Sequence, residues 1–392
     1  MNAHAPRLAS AKIEDRWQPG IGKLLFRGLL LLLILSLGGC ISSVSRQEQA
    51  GYDLDRPEDL ERLAAALADK RVIFVGETHT RMDHHRLQLA VIEALHQAGR
   101  DLAVGVEWFQ QPSQPALDDF ASGRIGEAEM LDRSGYFERW RFDYRLYRPI
   151  VRFTVDNDIP LLALNASTEL TKAVSRHGVD GVPAPLREQL PSSYDRSNKT
   201  YESTLREVFE LHASTDDARF DRFVDVQLTW DESMAEAAAG YLRAHPEKTL
   251  VVLAGAGHVV YDAGIPDRVQ RRLSVPAATV LPADVGSERP GSADIFVATS
   301  EEELPASGLL GVFLRTDDAG LVISAFSDPS GAEDAGLAVG DRLVAVDDIP
   351  VPHLAALKLV LAEHAPGTVI EVDYLTPAGR KEVRERSSIV LQ

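Results

Sequence analysis

Along the chain, short apolar runs alternate with longer stretches in which apolar residues recur at helical spacing. Pro57 to Asp69 reads as a short helix. Arg71-Val-Ile-Phe-Val75 follows as a compact run rich in β-branched residues, the mark of a strand buried on both faces. The run stops at Gly76. From about Asp83 to Ala98 a stripe through Leu87, Val91, Ile92 and Leu95 predicts an amphipathic helix. Three more buried strands are predicted. Leu102 to Val106 ends at Glu107, Ile159 to Leu164 ends at Asn165, and Thr249 to Ala254 ends at Gly255. Helices fill the gaps, Asp221 to Arg243 among them, and Ala293 to Ala298 reads as a last strand. Buried strands alternating with amphipathic helices predict an α/β domain over residues 60–299, a mostly parallel sheet with flanking helices. Residues 300–307 read as a linker. The pattern then changes to short strands with Gly and Pro turns, a small α+β domain over 308–392.

The first 39 residues stand outside this pattern. Lys23 and Arg27 precede and flank an apolar run from Gly28 to Leu37, which is signal-peptide length and about half of a membrane span. The run ends in Leu37-Gly38-Gly39-Cys40, which resembles the lipobox of bacterial lipoproteins. The resemblance implies cleavage before Cys40, lipidation of its thiol, and a tether over residues 40–59. It places the mature protein in the bacterial envelope, facing the periplasm. Ile41 rather than Asp after the cysteine favours the outer membrane over the inner.

Composition narrows the chemistry. A length of 392 residues suits two to three domains, and the formal net charge of −18 argues against nucleic acid, which needs a surplus of Lys and Arg. Cys40 is the only cysteine. With it lipidated, cysteine catalysis, thiolate zinc sites and disulfides are excluded.

In parallel α/β sheets, ligands bind beyond the carboxyl ends of the strands. The residues found there are Gly76-Glu77-Thr78-His79, Glu107, Asn165 and Gly255-Ala256-Gly257-His258. Glu77, His79, Glu107 and His258 thus converge on one rim, two acids and two imidazoles suited to a divalent ion such as Zn or Mn, or to acid–base work. His84 and His85 open the following helix and diverge by about 100°, so one faces the rim at most, and His85 is expected at the surface. Asp231 and Glu232 read as capping or ion-pairing residues. There is no His-Glu-x-x-His, Gly-x-Ser-x-Gly or Walker A motif, and Gly255-x-Gly257 lacks the third glycine of a dinucleotide fingerprint.

Five ordered anchors carry a wider resemblance. They are Gly76-Glu77-Thr78-His79, Val106-Glu107-Trp108-Phe109, Ala163-Leu164-Asn165, the stretch from Gln227 through Trp230-Asp231-Glu232 to Ala235, and Gly255-Ala-Gly-His258 with Gly264-Ile-Pro-Asp-Arg268. Together they resemble the ChaN-like haem-binding lipoproteins, grouped with the Tiki/TraB proteins and erythromycin esterases. The resemblance implies haem binding linked to iron uptake, with haem held between subunits of a possible homodimer. The paired Gly-x-x-His motifs equally resemble the divalent-metal site of the Tiki branch, a peptide hydrolase in which Glu77 and Glu107 would be the catalytic acids.

Haem requires an axial donor, and His79, His84, His85, His258, Tyr144, Tyr147 and Tyr261 are candidates. Arg139, Arg141, Arg145 and Arg148, interleaved with Trp140, Phe142, Tyr144 and Tyr147, are placed to face a flat dianion. They fit equally an amphipathic helix with aromatic residues in the core. Cofactor-binding residues are therefore expected among His79, His258, Tyr144, Tyr147 and Arg145.

The C-terminal part, from Ser307-Gly-Leu-Leu-Gly311 through Leu321 to Phe326, Ala335 to Val346, Leu354 to Glu363 and Thr368 to Tyr374, resembles a PDZ domain. The resemblance implies that Leu309, Leu310, Gly311 and Val312 offer backbone N–H groups to the C-terminal carboxylate of an envelope protein, with Leu357 lining the side-chain pocket. Three readings follow: a haem-binding lipoprotein, a divalent-metal hydrolase, and an envelope adaptor acting through its PDZ domain.

Overall fold

The computed structural model describes residues 51–212, 217–287, 289–379 and 381–392. The expected signal peptide, Cys40 and the first half of the expected tether lie outside the described residues. Among the described residues no helix is long and apolar enough to cross a membrane.

The strands in chain order are β1 (Tyr52–Asp53), β2 (Val72–Glu77), β3 (Leu102–Gln110), β4 (Leu161–Asn165), β5 (Thr249–Gly255), β6 (Ala277–Pro282) and β7 (Ile295–Ala298). They form one seven-stranded sheet in the order β1-β7-β6-β2-β5-β3-β4, parallel throughout. Successive residues of the central strands serve opposite faces, as the strand period of two requires. Ile73, Val75, Val104, Val106, Val251 and Leu253 enter one apolar cluster, and Val72, Phe74, Ala103, Leu250, Val252 and Ala254 enter the other. Helices cover both faces, so the chain is α/β as its pattern predicts.

Three details differ from the sequence expectation. β1 and β6 lie outside the predicted set: β1 is two residues long, and β6 is a short run preceded by Pro276 and ending in Pro282. β3 does not stop at Glu107 but runs to Gln110, because Trp108 and Phe109 are themselves buried. The register of β3 against β4 shifts between Val106 and Gln110. The Glu107 carbonyl there accepts the Asn165 side-chain amide at 2.9 Å. A ladder irregularity of this kind re-aims side chains at strand ends, here at Glu107.

The remaining strands, β8 (Val312–Asp317), β9 (Gly320–Phe326), β10 (Arg342–Val346), β11 (Ile349–Pro350), β12 (Val369–Ala378) and β13 (Lys381–Val390), form a second, antiparallel sheet. Its order is β13-β12-β10-β9-β8, with β11 on β10. Helix Leu354–Leu361 belongs to its core and packs on helix Glu127–Ser134 of the first domain. Arg148 bridges the two parts, reaching Glu127 at 3.1 Å and Glu363 at 2.5 Å.

Candidate functional site

Glu77 ends β2 and pairs in register with Gly255 at the end of β5. Glu107 lies on β3, which flanks β5 on the other side. Three adjacent strands therefore deliver their carboxyl ends to one place. Glu77 is buried, and its Oε1 lies 2.5 Å from His79 Nδ1. Its Oε2 is buried with no hydrogen-bond partner. His79 is the more open group, with 30% of its side chain exposed. Its ring sits 4.9 Å from Trp140 and 4.7 Å from Phe142.

Glu107 Oε2 accepts the Gly255 N–H at 2.7 Å, and Oε1 lies 3.3 Å from His258 Nε2. On the far side of that ring, His258 Nδ1 lies 2.5 Å from Asp231 Oδ1. Tyr201 donates its OH to the other Asp231 oxygen at 2.6 Å. The set is thus five residues: Glu77, His79, Glu107, His258 and Asp231.

Burial alone would raise the Glu107 pKa, but the charge and hydrogen bond of His258, the charge of His79 and the Gly255 amide bring it down to about 2. Burial pulls the His258 pKa down, yet Asp231 and Glu107 together raise it well above the ordinary imidazole value. His79 follows the same logic more weakly, with Glu77 outweighing burial.

Gly255 keeps the site open. A Cβ there would lie 2.8 Å from His79 Cε1, 3.3 Å from Nε2 and 3.5 Å from Glu107 Oε2. The space left by the missing side chain is bordered by a nitrogen and a carboxylate oxygen. Donor atoms of Glu77, His79 and Glu107 all lie within 4.8 Å of one another, close enough for one ion. Each histidine has Nδ1 tied to a carboxylate, which is how metal-ligating imidazoles are usually oriented.

Several expectations are corrected. His84 and His85 are both buried, and neither is at the surface. His84 accepts the Thr78 N–H at Nδ1 and meets Asp284 at Nε2, both at 3.0 Å, so it pins the turn that carries His79. His85 contacts Gln88 and the His79 carbonyl, with its ring 4.4 Å from Tyr147. Tyr144 and Tyr147 are core residues. Tyr144 donates to Glu127 at 3.0 Å, and burial and that carboxylate hold its pKa far above the ordinary phenol value, which disfavours an iron-ligating phenolate. Tyr147 points its OH at the His79 carbonyl, 3.4 Å away. Arg145 is held by Asp143 and the Pro305 carbonyl. Residues 139–148 do not form one helix. The chain breaks at Arg141, whose φ is +71°, and this turn presents Trp140 and Phe142 to His79. Tyr261 also has left-handed backbone, φ +58°, and packs against the apolar cluster that contains Tyr201, Leu205 and Phe220.

Glu232 does form ion pairs, with Arg268, Arg271 and Arg272. Asp231 pairs as well, with His258, and in doing so orients that ring. The sequence marks Trp140 and Phe142 as rings suited to a flat ligand and Asp231 as part of an anchor, but not that the two rings wall His79 or that Asp231 positions His258.

In the second sheet, Leu309, Leu310, Gly311, Val312 and Leu357 line one cavity of about 390 Å³. The Leu309 N–H is already donated to the Gln392 carbonyl, so it is not part of a carboxylate nest. Gly311 has φ +76°, and a Cβ there would meet Ser330 Cα at 2.5 Å.

Comparison with known proteins gives the following. A family model described as haem-binding uptake, Tiki superfamily, ChaN, matches residues 63–269, just over half of the chain. The chloroplastic protein RETICULATA-RELATED 5 of Arabidopsis thaliana is 23% identical over 249 residues, which is 58% of this chain and 33% of that protein. The chain thus spans about a third of the length of that curated relative. Among solved structures, ChaN of Campylobacter jejuni, described as binding haem cofacially, aligns with a TM-score of 0.49 at 18% identity, covering 61% of this chain and 91% of that one. A PDZ domain of a carboxy-terminal protease from Vibrio cholerae, solved with a peptide, aligns with a TM-score of 0.20 at 21% identity, covering 23% of this chain and 96% of that one.

Proposed function

Since the chain belongs to the ChaN family of haem-binding uptake proteins in the Tiki superfamily, we propose that it binds haem at the rim of its parallel sheet as part of iron uptake. The observation that carries this reading is His79. It is a partly exposed imidazole with Nδ1 fixed by Glu77 and with the Trp140 and Phe142 rings beside it. Bound haem would supply an iron that takes an axial nitrogen ligand. The protein's part is to hold that nitrogen in one orientation and to shield it with apolar rings. His258 is the second candidate donor, less exposed at 15% and braced by Asp231.

Hemin titrated into the full chain tests this. A Soret shift that saturates, and that His79→Ala abolishes, supports it. An identical shift in His79→Ala and in His258→Ala would sink the assignment of the rim.

A second reading is favoured by the clustered donor atoms of Glu77, His79 and Glu107 and by the buried Glu77 Oε2, which has no hydrogen-bond partner and only His85 Nε2 near it, at 3.7 Å. His79 and His258 with one of the two carboxylates would hold a divalent ion such as Zn or Mn, and the other of Glu77 and Glu107 would act as the base of a hydrolytic site. A divalent ion would supply Lewis-acid activation there. Stoichiometric metal in the purified chain, lost in Glu77→Gln, separates this from haem binding.

The remainder of the proposal concerns placement. Cys40 carries the lipid tether, and the outer membrane is the expected site. The second sheet acts as a PDZ module for the C-terminus of an envelope protein. Its support is the groove between β8 and helix Leu354–Leu361, with Leu310 and Leu357 buried at its base. The protein would also form a homodimer around haem. Mass spectrometry of the mature chain tests lipidation, and sedimentation with and without hemin tests the dimer.

A further inference from the structure

Where the two sheets' domains meet, there is a cavity of about 210 Å³. Its apolar walls are Phe137 and Phe142 on one side and Leu359 and Leu361 on the other. Its charged lining is cationic: Arg141, Arg145 and Arg148 from the first domain and Lys358 from the second, against the single acid Asp143. On a chain with a formal net charge of −18, this is a local reversal of sign.

The four cations differ in what already occupies them. Arg145 grips Asp143, with Nη2 at 2.7 Å and Nε at 3.1 Å. Arg148 is shared between Glu127 and Glu363. Arg141 makes one long contact, Nε to the Glu138 carbonyl at 3.4 Å. Among the described residues, neither Arg141 nor Lys358 forms an ion pair. The left-handed backbone at Arg141, φ +71°, is disfavoured for a residue with a side chain. It seats Arg141 and Phe142 on this cavity while the Phe142 ring also lies 4.7 Å from His79.

We propose that this cavity binds a small amphipathic carboxylate, its anionic head between Arg141 and Lys358 and its apolar body on Phe137, Phe142 and Leu361. A charge facing a partly enclosed apolar space attracts an anion more strongly than the same charge in open water. The apolar walls select against small, strongly hydrated inorganic anions. The volume is below the range of drug-sized sites, so a porphyrin does not fit; the cavity shares Phe142 with the rim but includes none of Glu77, His79, Glu107 and His258.

Lys358 and Leu361 also line the neighbouring groove of the second sheet, so the test must separate the two. Octanoate is titrated calorimetrically into the full chain. The expected result is one saturable site, weakened about tenfold or more by Arg141→Glu and by Lys358→Glu. Ala362→Trp fills the cavity without changing its charge and should abolish binding. Phe313→Glu puts charge only in the groove and should leave binding intact. Octylammonium should not bind. Circular dichroism confirms the fold of each variant. No heat with octanoate overturns the proposal, as does equal binding of octylammonium. So does loss in Phe313→Glu with retention in Ala362→Trp, which would move the ligand to the groove.

Discussion

His258 and Asp231 meet at 2.5 Å, Nδ1 to Oδ1, although they belong to different elements and stand 27 residues apart. Asp231 sits on the long helix Asp217–Ala244, and His258 on the turn after β5. The contact leaves His258 Nε2 facing Glu107 and so makes one face of the rim a chain from Tyr201 through Asp231 and His258 to Glu107.

Replacing Asp231 by Asn keeps the shape and removes the charge that orients His258. Loss of such an orienting partner lowers metal or ligand affinity by about 10- to 100-fold. Hemin and Zn titrations of Asp231→Asn should both weaken on that scale, with circular dichroism confirming the fold and the unfolding midpoint lowered, because a buried ion pair loses one partner. Unaltered affinity for both would mean that His258 contributes nothing to the ligand.

At Gly255, a methyl group would lie 2.8 Å from the His79 ring. Gly255→Ala should displace His79 and strip its ligand binding, with a stability loss of about 1–3 kcal/mol from overpacking. Two measurements decide it: the imidazole signals of His79 by NMR, and ligand affinity. Wild-type values in both would show that the rim tolerates a side chain where the structure leaves none.

Acid should unfold the protein partly through Glu107. Its folded pKa of about 2 lies below its ordinary value of 4.5, so its stabilising contribution is complete above 4.5 and is lost as pH falls toward 2. His258, raised above its ordinary value of 6.5, contributes in the opposite sense: fully below 6.5, and progressively less as pH rises through its folded pKa. Urea unfolding of the ligand-free chain should therefore show stability falling below pH 4.5, and Glu107→Gln should flatten that limb. A limb of unchanged steepness would assign the acid transition to other carboxylates.

Glu127 is the buried acid on which Tyr144, Arg148 and Arg152 converge, at 3.0, 3.1 and 2.6 Å. Both arginines are partly exposed, so solvent screening discounts these pairs. The Tyr144 hydroxyl is not screened, and losing its acceptor leaves a buried donor unpaired. Glu127→Ala should cost about 1–3 kcal/mol, read as a lower thermal midpoint, while hemin affinity stays unchanged.

Much of the first domain is legible in the chain itself. Residues 71–75, 102–106 and 249–254 are compact, almost wholly apolar runs with several β-branched residues, the pattern of a strand buried on both faces. The parallel α/β class follows from their alternation with amphipathic helices. The strand-end rule also brings Glu77, His79, Glu107 and His258 to one edge without any knowledge of contacts, because it depends only on where each strand stops. The edge strand β1 is two residues long and leaves no period, and the internal strand β6 is a six-residue run set between Pro276 and a terminal Pro282, which reads as loop.

The partners of those rim residues were not legible. A hydrogen bond such as Asp231 to His258 depends on how a 28-residue helix lies across the sheet, and nothing in the local sequence of either residue records that. The same holds for Trp140 and Phe142. As a pattern they suit a helix face, but the left-handed turn at Arg141 breaks the helix and turns both rings onto His79. It holds again for Tyr144, whose hydroxyl is claimed by a buried acid 17 residues away. Hydrophobic periodicity reports which residues leave water, and that determines the elements and their order. Which polar groups then pair inside is settled by packing between distant segments, where unsatisfied donors and acceptors are too costly to leave, and only the folded chain decides it.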